Sequence, residues 1–303
     1  MDDTRTVLVA VDFSTHARAA ALRVCDLARA CGAGVRLIHG APGRRIDPEP
    51  ETVGTLEAPR SVSPTQEIES WRADFAERGA RVSAFVEEED PVDLILRHAD
   101  AEEVLLVVMG MHGFHGYDRL FRGSVVDRAL RLTQVPIMVV KESEDDASVR
   151  IHRILLTTDF SPASEHALRL AILWARHLGA DVEVLHATQE LEGERDYPRP
   201  RDSASRSGYQ RANALESLRS ILSRTAAAGV RAVADLTYGA ASVEIVRHAA
   251  RAGADLVVLA LRDAVAAGPV RCGSVTERVI RHVKCSVLVA PDERRSELAS
   301  ASD

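Results

Sequence analysis

The chain has 303 residues, of which 46% are hydrophobic and 27% charged, with a formal net charge of −7. This composition is typical of a globular protein, and the length allows two domains of ordinary size. The negative charge and the lack of a basic run argue against binding to nucleic acid or to an anionic membrane surface. The longest apolar runs are far too short to span a bilayer, and no apolar segment follows the acidic start at Asp2 and Asp3. The expected location is therefore the cytoplasm.

The first half of the chain alternates short apolar runs with amphipathic stretches. The runs predict strands at 6–11, 35–39, 81–86, 104–109 and 137–140. The stretches between them predict helices at 15–31, 65–78, 91–100 and 124–132. Strands that alternate with helices imply a parallel sheet covered on both faces. Residues 40–65 contain five prolines and predict a loop, and the acidic residues 141–148 predict a linker.

The same pattern then restarts, which indicates a tandem duplication of one α/β domain. The predicted domains are residues 1–142 and 150–292, with a surface loop at 188–207 in the second. The matching segments are Asp12-Phe13-Ser14 with Asp159-Phe160-Ser161, His39 with His186, and Gly123-Ser124 with Gly273-Ser274.

A glycine-rich segment follows the predicted strand at 104–109. Its spacing is G-x2-G-x9-G-S, formed by Gly110, Gly113, Gly123 and Ser124. Glycine lets the backbone turn tightly and approach a ligand closely. Ser124 is a favourable N-cap, and a helix N-terminus presents free N–H groups and the positive end of a dipole. The segment therefore predicts a phosphate-binding loop.

On this spacing the sequence resembles the universal stress protein family, and the resemblance covers nearly the whole chain twice. It implies an adenine nucleotide hydrolase-like fold, with two tandem doubly wound five-stranded parallel-sheet domains of strand order 3-2-1-4-5. It also implies ATP as the ligand of the first half, with Mg²⁺ held mostly by phosphates and water.

The resemblance further implies which residues surround the nucleotide. Ala10 and Asp12 are expected beside the adenosine, and the backbone of Gly40 is expected beside the adenine. Arg119 or Arg122 can reach a phosphate, although a solvated loop explains both equally well. The residues expected around the phosphates are Gly110, Gly113, Gly123, Ser124 and Val125.

Some of these residues have simpler explanations. Asp12 favours turns and helix caps regardless of any ligand. Ser124 is explained by N-capping alone, and capping is compatible with phosphate binding. The pair His112 and His115 resembles a metal motif, but no third ligand lies nearby in the sequence, so we expect no metal site there.

The second half lacks most of the glycine pattern. Ala260 stands at the position of Gly110, and Asp263 stands at that of Gly113. A carboxylate at this point repels a triphosphate. We expect the second half to be degenerate for ATP, acting as a structural partner or binding a different ligand.

The first half is expected to hold ATP rather than turn it over, with at most slow hydrolysis. No general base lies beside the glycines, and neither of the two lysines, Lys141 and Lys284, forms a Walker A motif. The alternative function is a nucleotide-independent module that binds a protein or another small ligand. A response-regulator receiver is disfavoured because no phosphoacceptor aspartate follows the third strand, which ends at Val86-Glu87-Glu88.

The fifth strand of each half is short, apolar and typical of a sheet edge. Such an edge has to be covered. The family resemblance implies dimers in which these strands pair. We therefore expect the two fifth strands to pair within one chain, and pairs of chains can associate further.

Overall fold

The computed structural model describes residues 5–41, 62–101, 103–111, 124–141, 151–188, 203–261 and 273–291. The chain is an α/β protein built on parallel strands, which confirms the predicted fold class. Its backbone packing forms two compact units, Met1–Val135 and Pro136–Asp303. Within the described ranges, every helix is too short or too polar to cross a bilayer.

The first unit contains a parallel sheet of strand order β3-β2-β1-β4. The central residues of β1 and β4 are fully buried, because a parallel sheet is covered on both faces. Its elements are β1 Thr6–Ala10, α1 Thr15–Ala30, β2 Gly34–Gly40, α2 Pro64–Glu77, β3 Val82–Glu87, α3 Pro91–Ala99, β4 Val104–Gly110 and α4 Val125–Leu132.

The second unit repeats this arrangement and adds two further strands, its first and its last. Its elements are β5 Ile137–Val140, β6 Arg153–Thr157, α5 Pro162–Leu178, β7 Asp181–Thr188, α6 Ser203–Ala227, β8 Ala232–Tyr238, α7 Ala241–Ala252, β9 Leu256–Ala260, α8 Ser274–His282 and β10 Ser286–Ala290. The strands of the second repeat follow the order β8-β7-β6-β9-β10, which is the predicted order 3-2-1-4-5.

The fifth strand of the first repeat, β5, pairs with β10 in an antiparallel ladder. The register joins Val139 to Val287 and Ile137 to Val289. This ladder satisfies the backbone groups along the edge of β10, the side on which we expected pairing. The domain limits 1–142 and 150–292 stay a prediction, since β5 belongs to the first repeat in sequence and to the second unit in packing.

Most helices begin where the sequence offers a capping side chain. Ser14 and Ser161 cap α1 and α5, and Ser63 and Gln66 form a capping box at α2. One prediction was wrong at its end: the surface loop expected at 188–207 overlaps α6, which already begins at Ser203. Pro198 and Pro200 are the last prolines of this segment, so no helix-breaking proline follows them and the helix can begin within the polar stretch. Apart from Lys141, the predicted linker lies outside the described residues, as does most of the loop predicted at 40–65.

Candidate functional site

Three neighbouring parallel strands of the first unit end at the same edge of the sheet. Ala10, the last residue of β1, is in register with Ile38 of β2 and Met109 of β4. Asp12, Gly40 and Gly110 therefore lie together at the carboxyl ends of these strands. The strand order reverses direction between β1 and β4, and open α/β sheets form ligand crevices at such a point.

The turn that follows β1 adopts an unusual backbone conformation. Phe13 has φ +60°, and Phe160 at the same place in the second repeat has φ +61°. A large L-residue is strained in this region and needs support from its surroundings. The Phe13 ring packs against His39 in a tilted arrangement at a centroid distance of 4.5 Å and contacts Trp71 edge-on at 5.7 Å.

Histidine fastens this turn to the neighbouring strand in both repeats. His39 Nδ1 donates to the carbonyl oxygen of Val11 at 2.8 Å. His186 Nδ1 donates to that of Thr158 at the same distance, and its ring stacks on Phe160 at 4.3 Å. The sequence shows these residues only as matching positions of the repeat, and their role as a support for the strained turn was not predicted.

Asp12 has a clear structural role at the end of β1. Its Oδ1 accepts hydrogen bonds from Ser14 N at 3.0 Å and Ser14 Oγ at 2.6 Å. Ser14 Oγ in turn accepts from Ala17 N at 3.1 Å and caps α1. The turn explanation of Asp12 is therefore present in the structure, whereas the cap of α1 is Ser14, and the bonds from Ser14 fix the direction of the carboxylate at the strand end.

Gly40 is required by the close approach of another backbone segment. A Cβ atom at this position would lie 2.9 Å from Pro91 Cα and 3.0 Å from Glu89 O. The segment belongs to the start of α3, where Asp90 accepts from Val92 N at 2.9 Å and pairs with Arg128 at 3.1 Å. Burial raises the pKa of the Asp90 carboxyl, but Arg128 and the helix N–H groups stabilise the anion. The pKa of Asp90 therefore falls below its ordinary value.

Ser124 and Val125 begin α4 close to the end of β4 in sequence. Ser124 Oγ accepts from Asp127 N at 3.1 Å and caps the helix. Both residues are partly exposed, so this end of the helix is accessible. Of the other predicted residues, Gly113, Arg122 and Gly123 lie outside the described residues, as do Arg119 and the pair His112 and His115.

The second repeat contains a cavity of about 450 Å³ at the equivalent strand ends. Asp159 lies in its wall, with Oδ1 accepting from Ser161 N at 3.0 Å and Ser164 Oγ at 2.6 Å. The lining residues are Thr157, Thr158, Asp159, Ser164, Leu185, Ala187, Ala241, Ile245, Leu259, Ala260 and the first turn of α8 from Gly273 to Thr276. Asp159 is the charged member of this set.

The two repeats differ at the helix that follows the fourth strand. Ser124 caps α4 through its side chain, whereas α8 has Gly273 as its N-cap and no capping side-chain bond. The first turn of α8 therefore lines the cavity, and no side chain of the cap residue accepts a hydrogen bond from its N–H groups.

A sequence profile of the universal stress protein family matches the chain twice, at residues 3–141 and 150–291. The chain belongs to the universal stress protein family. The two matches cover both repeats, so it is a tandem two-domain member.

Similar proteins of known description are also universal stress proteins. One from Thermus aquaticus is 29% identical over 140 residues, covering 45% of this chain and 98% of its own. Another, YxiE of Bacillus subtilis, is 28% identical over 74 residues, covering 24% of this chain, and the match spans 50% of its length.

Two solved structures share the fold over nearly their whole length. A universal stress protein from Archaeoglobus fulgidus superposes with a TM-score of 0.66 at 16% identity, covering 94% of this chain and 96% of its own. A functionally unknown protein from Pseudomonas aeruginosa gives a TM-score of 0.68 at 16% identity, covering 99% and 98%. At this identity the likeness concerns the fold alone.

Proposed function

We propose that the first repeat binds ATP and that the protein has a regulatory or stress-response role with little or no ATP turnover. Mg²⁺ would be held mainly by the phosphates and by water. The observation that carries the proposal is the meeting of Asp12, Gly40 and Gly110 at adjacent strand ends, next to the reversal of strand order.

The residues at this edge suit a nucleotide in different ways. Ala10 and Asp12 would lie beside the adenosine, with the carboxylate already oriented by Ser14. The backbone of Gly40 would contact the adenine. Ser124 and Val125 at the start of α4 would direct N–H groups at the phosphates, which the helix dipole also attracts.

Low turnover follows from the same arrangement. The Asp12 carboxylate accepts two hydrogen bonds from Ser14, and these hold it against the turn. A group held in this way is a poor general base. The proposed site therefore binds and retains the nucleotide.

Isothermal titration of the intact chain with ATP and Mg²⁺ tests the proposal. We expect one ATP per chain, and the Gly113→Asp variant should lose affinity by orders of magnitude. This variant imports the residue of the second half, adding charge repulsion and removing a glycine. The Asp263→Gly variant is the matched control and should leave the site of the first half unchanged. Two equivalent sites, or unchanged binding in Gly113→Asp, would contradict the proposal.

A second candidate function is favoured by the cavity of the second repeat, namely the binding of a different small ligand. Its volume of about 450 Å³ falls in the range of small-molecule pockets. Hydroxyl groups of Thr157, Thr158 and Thr276 offer hydrogen bonds, and Asp159 supplies negative charge. A neutral or cationic ligand suits this lining better than a triphosphate does.

Direct titrations separate the two candidates. Adenosine and ATP are titrated into the Gly113→Asp chain, and again into the same chain carrying Ala241→Phe, which fills the second-repeat cavity. Adenosine binding that is lost with Ala241→Phe supports a second-repeat site for uncharged ligands, whereas adenosine binding that persists belongs to the first repeat. If neither binds, the second repeat has no nucleoside site. Association of two chains into a homodimer stays a prediction, and sedimentation velocity measures it directly.

A further inference from the structure

A buried histidine in the second repeat faces two carboxylates. His248 lies on α7 and is only 2% exposed. Its Nε2 atom is 3.1 Å from Glu183 Oε1 and 3.1 Å from Asp235 Oδ2. All three ligand atoms lie within 4.8 Å of one another. None of these residues lines the cavity described above.

The fold holds the three side chains in place from separate elements. Strand pairing aligns Glu183 with Val233 and Leu185 with Asp235, so Glu183 and Asp235 point to the same face of the sheet. Helix α7 lies against β7 and directs His248 between the two carboxylates. Groups fixed by two strands and a helix lose little further freedom on binding an ion.

The surrounding charges indicate that a cation belongs at this point. Arg251 Nη2 lies 2.6 Å from His248 Nε2 and 3.1 Å from Asp235 Oδ2. A guanidinium group carries a fixed positive charge. One imidazole nitrogen and two carboxylates thus converge on a point against which a cation already lies. Arg251 occupies it from the solvent side with a side chain that is 65% exposed.

We propose that Glu183, Asp235 and His248 form a binding site for a divalent transition-metal ion such as Zn²⁺. Imidazole and carboxylate are ordinary zinc ligands, and bonds of about 2.0–2.1 Å place tetrahedral ligands about 3.3 Å apart. The 3.1 Å separations of His248 Nε2 from both carboxylate oxygens are close to that distance. The ion displaces the Arg251 guanidinium, and the fourth position opens to water beside the half-exposed Asp235.

The first repeat provides an internal comparison because the same three positions carry other residues. Arg36 and Glu183 are the third residues of β2 and β7. Phe85 and Asp235 are the fourth residues of β3 and β8. His98 and His248 are the eighth residues of α3 and α7.

The imidazole is thus present in both repeats, but both carboxylates are absent from the first. Its His98 packs against Phe85 in a tilted arrangement at a centroid distance of 5.4 Å, and its Nε2 lies 3.2 Å from Glu87 Oε1 instead. A cation and an aromatic ring occupy the positions of the two anionic ligands, so the proposed site is specific to the second repeat.

Titration of the metal-free intact chain with Zn²⁺ tests the proposal, and the absorption spectrum of bound Co²⁺ reports on its ligands. Groups that merely orient a metal ligand contribute about 10–100-fold to affinity, so Glu183→Gln and Asp235→Asn should each weaken binding by about 100-fold or more. Arg251→Gln should strengthen binding by roughly 3–10-fold, because it removes a competing cation. Glu183→Arg, which imports the residue of the first repeat, should abolish binding.

Glu87→Gln is the matched control, because it alters the carboxylate beside His98 and should leave zinc affinity unchanged. Thermal unfolding of each metal-free variant verifies that the fold persists, and Zn²⁺ should raise the Tm of the wild-type chain but not that of Glu183→Gln. Zinc affinity that is equal in wild type, Glu183→Gln and Asp235→Asn would overturn the proposal. It would show that thiols or other histidines hold the ion and that His248 forms an ion pair only.

Discussion

Replacing Gly40 with alanine separates two roles of this residue, because the structure gives it a packing role that is independent of any ligand. Backbone propensity alone favours alanine over glycine within a strand by roughly 0.5–1 kcal/mol. The close approach of Pro91 and Glu89 predicts the opposite sign. The added Cβ would meet Pro91 Cα at 2.9 Å, Glu89 O at 3.0 Å and Pro91 N at 3.2 Å. All three are backbone atoms, so no side chain can rotate away.

The size of the effect follows from these distances. Carbon atoms in contact prefer about 3.5–4.0 Å, so a Cβ that would lie 2.9 Å from Pro91 Cα forces the start of α3 away by about 0.6–1.1 Å. That segment is held by the Asp90 cap and its bond to Arg128. Inserting a methyl group into a filled space costs about 1–3 kcal/mol, equivalent to about 4–12 °C in Tm for a unit of this size.

Thermal and denaturant unfolding of the Gly40→Ala chain measure this cost. Ala187 is the natural control because it is the seventh residue of β7, as Gly40 is of β2. Ala187→Gly should change stability only by the backbone term of roughly 0.5–1 kcal/mol. A Gly40→Ala chain that is as stable as wild type, or more so, would refute the packing argument.

Three further outcomes are expected. Ser124→Ala should destabilise the chain by about 1 kcal/mol in denaturant unfolding, because it removes the cap bond to Asp127 N. Ser274→Ala should have little effect, because the cap of α8 is Gly273. Burial lowers the pKa of Lys141 from 10.5 to about 8, against the opposing influence of Cys285. The folded chain therefore binds fewer protons than the unfolded chain between these values. The free energy of unfolding should therefore rise by about 1–2 kcal/mol, after allowance for solvent, as pH increases from about 8 to about 10.5, and this gain should be lost as pH falls. The Lys141→Met chain should lack this dependence when unfolding is measured across the same pH range. Steady-state ATP hydrolysis should be far below about 10 s⁻¹, and turnover near that value would contradict a retaining site.

The elements could be predicted from the sequence because their signals are local. The β-branched apolar runs of β1 and β4 identify buried strands, and Ser14 or the pair Ser161 and Pro162 identifies a helix start. The repeat was equally visible, since matching segments recur at corresponding places. Strand neighbours were expected from the family resemblance, and the ladders confirm them.

Features that depend on distant residues were not predictable in this way. A phenylalanine at φ +60° has no sequence signal, because the support for Phe13 comes from His39 and Trp71 on other elements. The cluster around His248 combines residues from two strands and a helix, and their separation in sequence resembles no metal motif. The cavity of the second repeat is likewise lined by residues of several strands and helices that lie far apart in the sequence.

The pairing of β5 with β10 has a consequence for how this protein can be divided. A fragment that starts at the repeat boundary would contain β10 without β5 and would expose the backbone groups that face Ile137, Met138 and Val139. Unpaired apolar edges recruit other strands, so such a fragment should self-associate. A fragment that starts at Pro136 keeps the ladder but takes the last strand of the first repeat with it. The sequence repeat and the compact folding unit therefore have different boundaries in this chain. A fragment cut at the repeat boundary separates β5 from β10, and a fragment cut at Pro136 removes β5 from the first repeat.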